Sequence, residues 1–418
     1  MSVLKSIKSF SLFIFLSVSM LCEAAVTVSD QSPVVIGKEL LLKSEILNKE
    51  IPLKISLPSN FALSSVHHTY PVIFIVGKHG HQYFHTVNGI VKHLADVERM
   101  PETIVVSVDG GSPSPDIYHN NMFGNQPSNK WPSWGEPDMY HQFYQDELFP
   151  FLEKQYRANN KRSVVAISTS SFFPLNNLIH DKHLFDTYIF LAAADIIGMG
   201  HTPNKTMVDG LAARLSKSSK VNPLIFFMVA DDDLKKQKKY QTNVDKLKSK
   251  LSQIEGLPFT LRIYDNEGHY DTLIKAMLDV LEIKYPKSLW SAKYRDIVAK
   301  PGNALKNLDK YFDQLSQHYG FAILPRATRW NSVNRLGFIS TYLIRQNRAA
   351  EAIEVAQRYT KYQPKSWQAY ESLAKAYEAN NNREHAIENA NVALKLAKNE
   401  YDKKRLNQYI KSITPTIK

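Results

Sequence analysis

Four runs dominated by apolar, largely β-branched residues constrain this chain more than anything else in it: Tyr70–Val76, Thr103–Val108, Val164–Ile167 and Leu224–Val229. A strand with one face in water alternates apolar and polar residues. Runs rich in Val and Ile without that alternation belong to strands covered on both faces. The segments between them carry helical spacing instead, as in Val87, Ile90, Val91, Leu94 and Ala95 within His85–Glu98. Further helices are predicted at 140–156, from Phe172, and over Met207–Leu215, Lys238–Ile254 and Tyr270–Leu281. Further strands are predicted at Tyr188–Leu191 and Phe259–Tyr264. Ahead of them, two alternating runs within 39–58, joined at Asn48–Glu50, read as an antiparallel hairpin. Strands alternating with helices predict a mostly parallel sheet with helices on both faces, so residues 25–285 are expected to be an α/β sandwich.

The ends of the chain differ from this middle. Lys5 and Lys8 precede an apolar stretch from Phe10 to Leu21, followed by Cys22, Glu23 and Ala24, which is the layout of an export signal over 1–24. The apolar stretch is shorter than the roughly 20 residues a membrane span needs. Cleavage after Ala24 would remove the single cysteine and leave a mature chain without disulfide, thiol nucleophile or thiolate metal site. An exported protein, periplasmic or secreted, with no transmembrane span after cleavage is expected. Charge also divides the chain. Residues 25–285 carry 27 Lys and Arg against 28 Asp and Glu, whereas residues 286–418 carry 23 against 11. The basic excess therefore belongs to the C-terminal third, and it argues against nucleic acid as a partner of the whole protein.

In sheets of this kind the chemistry gathers where strands end. Ser168 follows the run ending at Ile167, among small neighbours (Ala166, Ser170, Ser171), just before a helical segment. That is the place of a nucleophile on a strand-to-helix elbow, although the usual motif has glycine two residues before and two after. Asp231, Asp232 and Asp233 follow Leu224–Val229, and Gly268–His269 follow Phe259–Tyr264. The order Ser, Asp, His is that of α/β hydrolases. A serine nucleophile needs an imidazole to take its proton and a carboxylate to hold the imidazole's tautomer. Ser168, His269 and one of the three aspartates, with Asp233 the first choice, are the candidates.

Five landmarks in order then carry a resemblance to the esterase family of α/β hydrolases that includes enterochelin esterases and esterase-D-like carboxylesterases. They are Tyr70–Val76 with Gly80 beyond it, Arg99–Val106, Phe143–Arg157, Arg162–Ser171 and Leu184–Asp186. The resemblance spans roughly Glu39 to Ile283. It implies cofactor-free ester hydrolysis through an acyl-enzyme, with the Thr169 amide and the loop at Gly80 and His81 donating to the oxyanion. The chain departs from the family's Gly-His-Ser-x-Gly-Gly, having Ala166, Ile167, Ser168, Thr169, Ser170 and Ser171 instead. The added atoms at Ser170 and Ser171 are expected to crowd the elbow and displace the Thr169 amide. The family's Arg-x-Arg-Asp segment is reduced to Asp116.

His79, His81 and His85 have spacing that could meet a metal, but no carboxylate completes a set, so no metal is expected. The aromatic, irregular stretch 118–140 is expected to wall the substrate site. The C-terminal third changes period. Phe338–Lys361 and Ser372–Lys395 align at an offset of 34 residues, placing Asn347 on Asn381, Ala352 on Ala386 and Ala356 on Ala390. With Trp367, Tyr370, Leu373 and Ala374, this resembles tetratricopeptide repeats, whose length is also 34. Residues 286–335 are read as a basic helical linker and 336–418 as all-helical repeats that offer a surface to a protein partner. Two functions follow. One is an exported serine hydrolase acting on a small-molecule ester of siderophore or acyl type. The other is an adaptor whose hydrolase domain has lost its chemistry.

Overall fold

The computed structural model describes residues 33–77, 80–110, 137–180, 182–202, 205–217, 223–290, 293–325 and 335–415. Eight strands form one sheet: β1 (Lys38–Ser44), β2 (Lys49–Ser56), β3 (Tyr70–Val76), β4 (Ile104–Val108), β5 (Ala158–Ile167), β6 (Thr187–Leu191), β7 (Leu224–Ala230) and β8 (Phe259–Tyr264). Their order across the sheet is β1-β2-β4-β3-β5-β6-β7-β8. The first two strands are antiparallel, β2 runs antiparallel to β4, and every pairing from β4 onward is parallel. The sheet is therefore the mostly parallel one that the alternation predicts, led in by the expected antiparallel hairpin, as the resemblance to α/β hydrolases implies.

The apolar runs explain why it is a three-layer structure. Every residue of β3, β4 and β6 is buried. Along β3, Tyr70, Val72, Phe74 and Val76 enter one core while Ile73 and Ile75 enter the other. Along β7 the same split puts Ile225, Phe227 and Val229 on one face and Phe226 and Met228 on the other. A side-chain period of two sends alternate residues to opposite faces, so each face needs its own cover. One face is covered by the segment Pro137–Tyr156 and by α2 (Phe172–Ile179), α3 (Met207–Leu215) and α4 (Lys238–Leu251), preceded in the chain by α1 (Gly80–Asp96) on the opposite face. The second face also takes α5 (Thr272–Lys284).

Two elements depart from the sequence pattern. β5 begins at Ala158 rather than Val164, because its first polar residues stand only partly buried while Ser163–Ile167 are enclosed. Residues 137–156 are helical, but Phe143–Leu148 form a π-helical turn in which Phe143, Tyr144 and Leu148 all reach the core. An inserted residue rotates the helix face, and here three consecutive-turn apolar groups meet the sheet as a result.

The C-terminal helices belong to the same compact unit as the sheet, residues 36–418. Trp290, Tyr294, Val298, Leu308 and Phe312, with α6 (Ala304–Tyr319), continue the core on the α1 and α5 face. That core runs on into α7 (Arg335–Arg345), α8 (Ala349–Tyr362) and α9 (Trp367–Ala379), followed by α10 (Arg383–Leu396) and α11 (Glu400–Ile413). The turns after α7 and α9 each place an asparagine in the left-handed region, Asn347 at φ 57° and Asn381 at φ 59°, as the 34-residue offset requires of equivalent hairpins. Buried alanines (Ala352, Ala356, Ala386, Ala390) let the paired helices approach closely. Arg335 and Glu98 (3.0 Å), and the Ser65 amide donating to the Tyr362 carbonyl (2.8 Å), fasten the helical region to the sheet layer. Among the described residues no helix is long and apolar enough to cross a membrane.

Candidate active site

β5 ends at Ile167 in extended backbone, and Ser168 turns to φ +53° before the 3-10 turn Ser168–Ser171 leads into α2. A side-chain-bearing residue in the left-handed region costs roughly 1–2 kcal/mol, and such strain gathers at functional positions. Ser168 is 9 % exposed, in a turn whose other two buried serines are Ser170 and Ser171. Among the described residues its hydroxyl makes no hydrogen bond. The turn packs against β6 and against a second 3-10 turn, Ile196–Gly198.

The room for Ser170, where the esterase motif has glycine, comes from the neighbouring strand. Gly77, just past β3, lies at φ +98°, and a Cβ there would stand 2.0 Å from Ser170 Oγ. The close approach thus still has a glycine, on the facing backbone instead of in the elbow. Ser171 Oγ donates to the Ala166 carbonyl at 3.4 Å, and Ala166 is wholly buried.

β7 ends at Ala230 and the helix Asp231–Lys236 begins at once, so the three aspartates form its first turn and point to different partners. Asp231 Oδ1 accepts the Glu267 amide (3.2 Å) and its Oδ2 meets Lys235 (2.5 Å). The Lys235 hydrogen bond, then the loop amides, hold its carboxyl down at about 2. Asp232 is half exposed, with Lys235 3.6 Å away. Asp233, 5 % exposed, places Oδ2 2.7 Å from His269 Nδ1. Its other oxygen faces Lys236 at 3.5 Å. A carboxylate on Nδ1 fixes the imidazole so that Nε2 carries the free lone pair.

His269 stands in the loop after β8, where Asn266 takes φ +59° and the Asp271 amide bonds the Gly268 carbonyl (3.1 Å). A Cβ on Gly268 would stand 2.5 Å from Asp271 Oδ2, so a larger residue there would have to turn that carboxylate aside. The His269 ring packs edge-on to Tyr270 (4.6 Å between centroids), which stacks on Tyr83 of α1 (6.2 Å). The histidine loop therefore lies beside the start of α1.

Gly80 and His81 open α1. The Gly80 amide donates to the Gly77 carbonyl at 3.0 Å. The His81 amide lies in the first helical turn, whose N–H groups lack intrahelical acceptors, as does the Thr169 amide at the start of its own turn. The His81 ring turns inward, with Nδ1 2.8 Å from Ser107 Oγ, and burial lowers its pKa. His85 is exposed on α1, and His79, Asp116 and most of the stretch 118–140 lie outside the described residues.

One residue of this cluster has no counterpart in the sequence reading. Asp195 follows β6, where Ala192 takes φ +51° and turns the chain sharply. Its Oδ1 accepts the Ile196 amide (2.8 Å) and caps the turn beside Ser168–Ser171. Burial raises its carboxyl pKa, with His269 and Asp233 both close enough to act on it. An aspartate just past a buried strand, in Leu191–Asp195, was the available signal.

A family model described as "Putative esterase" matches residues 44–280. The search of curated proteins finds no relative. Among solved structures, an IroE-like serine hydrolase from Shewanella oneidensis superposes with a TM-score of 0.56 at 18% identity, covering 78% of this chain and 99% of that one. An uncharacterised protein from Capnocytophaga ochracea gives 0.51 at 13% identity, covering 90% and 99%. Both matches reach past the segment 44–280, so helices beyond the sheet take part in the likeness of fold. With more than half of its length matched by that model, the chain belongs to the esterase family of α/β-hydrolase fold.

Proposed function

We propose that this protein hydrolyses a carboxylic ester through an acyl-enzyme on Ser168. The observation that carries the reading is the contact of Asp233 Oδ2 with His269 Nδ1 at 2.7 Å, past strand ends on the same edge of the parallel sheet as a serine held at φ +53°. In this mechanism His269 Nε2 takes the Ser168 proton as Oγ attacks the ester carbonyl. Asp233 stabilises the imidazolium. The Thr169 and His81 amides receive the oxyanion, and the proton returns to the departing alcohol. Water then repeats the steps and releases the acid. No cofactor enters.

The substrate class follows from family membership, and siderophore or acyl esters are the first to screen. The signal-like segment 1–24 supports an exported, periplasmic enzyme. The repeated helical hairpins support tetratricopeptide-like packing of 336–418, with a surface for a protein partner. A fluorophosphonate probe tests the chemistry directly. Mass spectrometry should find the adduct on Ser168, lost in His269→Ala and in Ser168→Ala. No adduct, or labelling that survives His269→Ala, refutes the mechanism.

A further inference from the structure

A cleft of about 1250 Å³ opens at the far end of the sheet from Ser168, among the starts of β6, β7 and β8 and the end of α5. Ser163, a hydrogen-bond partner of Lys284 in its lining, lies five residues before Ser168 on β5, roughly 17 Å away at the rise of a strand. None of the residues assigned to ester hydrolysis lines it.

Its charges are unbalanced. Lys161, Lys182 and Lys284 line it against one carboxylate, Asp186. Lys182 is already paired with Asp138 (2.5 Å) on the surface. Lys284 is enclosed, and its Nζ donates to Ser163 Oγ and Thr187 Oγ1, both at 2.8 Å. An ammonium has three N–H donors, and the third is left to the nearest carboxylate. The nearest carboxylate oxygen, Asp186 Oδ1, is 3.6 Å away. That carboxylate also accepts the Arg162 amide (2.6 Å) and the Thr187 hydroxyl (3.0 Å). Lys161 has no carboxylate partner among the described residues. It reaches over Gly320 at the C-terminus of α6, where the helix end offers only partial negative charge. Burial lowers the Lys284 pKa, Asp186 opposes that shift, and Lys161 adds to it. Lys284 thus has one carboxylate that is already committed to other donors and Lys161 has none, which leaves the cleft short of about one negative charge. Phe185, Phe226, Tyr285 and Phe321 supply apolar wall around that spot.

We propose that this cleft is a second ligand site for a monocarboxylate with an acyl or aromatic body, its carboxylate seated between Lys161 and Lys284. A single missing charge favours a carboxylate over a phosphate dianion, and the aromatic wall favours a ligand with an apolar body over a bare anion. The assignment does not depend on ester hydrolysis at Ser168.

Titration calorimetry on the full mature chain tests this with sodium octanoate, 1-octanol and inorganic phosphate as probes. Octanoate should bind one molecule per chain, and more tightly than either of the others. Because Lys284 is buried and its replacement endangers folding, the informative change is Lys161→Gln. Loss of a charge-assisted contact should weaken octanoate about tenfold or more. Lys161→Arg should restore it, and Ser168→Ala should leave it unchanged. Absence of octanoate binding, equal binding of 1-octanol, tighter binding of phosphate, or indifference to Lys161→Gln overturns the proposal. Loss of binding in Ser168→Ala also overturns it, by placing the carboxylate at the catalytic end.

Discussion

Replacing Gly77 by alanine probes how this elbow accommodates a serine in place of glycine. The new Cβ would stand 2.0 Å from Ser170 Oγ and 2.4 Å from its Cβ, and the backbone at Gly77 is at φ +98°. Two separable costs result. An L side chain in the left-handed region costs roughly 1–2 kcal/mol, and overpacking an enclosed site costs roughly 1–3 kcal/mol. Gly77→Ala should therefore lose about 3 kcal/mol. Ser170→Gly removes the atoms in the way but leaves the backbone cost untouched. The double variant should recover the overpacking share, about 1–3 kcal/mol of coupling. Equilibrium urea unfolding of the wild type, both single variants and the double variant measures this, and the rate of fluorophosphonate labelling reports the elbow in each. Stability effects that add to within about 0.5 kcal/mol would show that Gly77 and Ser170 do not share the space, and the account of the elbow would fail.

Three further outcomes are expected. Asp233→Asn should lower ester turnover about ten-thousand-fold while leaving the fold intact, because the imidazole loses the partner that sets its tautomer; a loss below tenfold refutes the role. Asp209, on the capping box of α3, is opposed by burial but brought down to about 2 by hydrogen bonds from Lys246 and Thr206. Its stabilisation is present above the ordinary carboxylate pKa and lost as pH falls toward 2, so Asp209→Asn should destabilise at pH 7 and make no difference at pH 2. A chain truncated after residue 325 leaves the core that α7, α8 and α9 complete open to water. It should bind a hydrophobic dye and unfold at a lower temperature, and an unchanged midpoint would contradict the shared core.

The apolar runs were enough to determine the sheet. Burial on both faces and alternation with helices leave few arrangements open to such strands, and their residues pack as the patterning requires. That Ser168, Asp233 and His269 each stand just past a strand was legible from where the apolar runs stop, and the 34-residue offset was legible because equivalent turns need equivalent residues. Other features were decided only in three dimensions. Which aspartate meets His269 depends on the direction of a single helical turn, since adjacent residues in a helix point about 100° apart. That Gly80 spends its amide on Gly77 follows from how the chain leaves β3. The glycine missing from the elbow reappears at Gly77, nearly a hundred residues earlier, because close approach is a property of two backbones and sequence shows one at a time. The same holds for the cleft around Lys284. Its three lysines, Lys161, Lys182 and Lys284, are unremarked in a basic chain, and only the packing of strand starts against α5 and α6 brings them to one cleft.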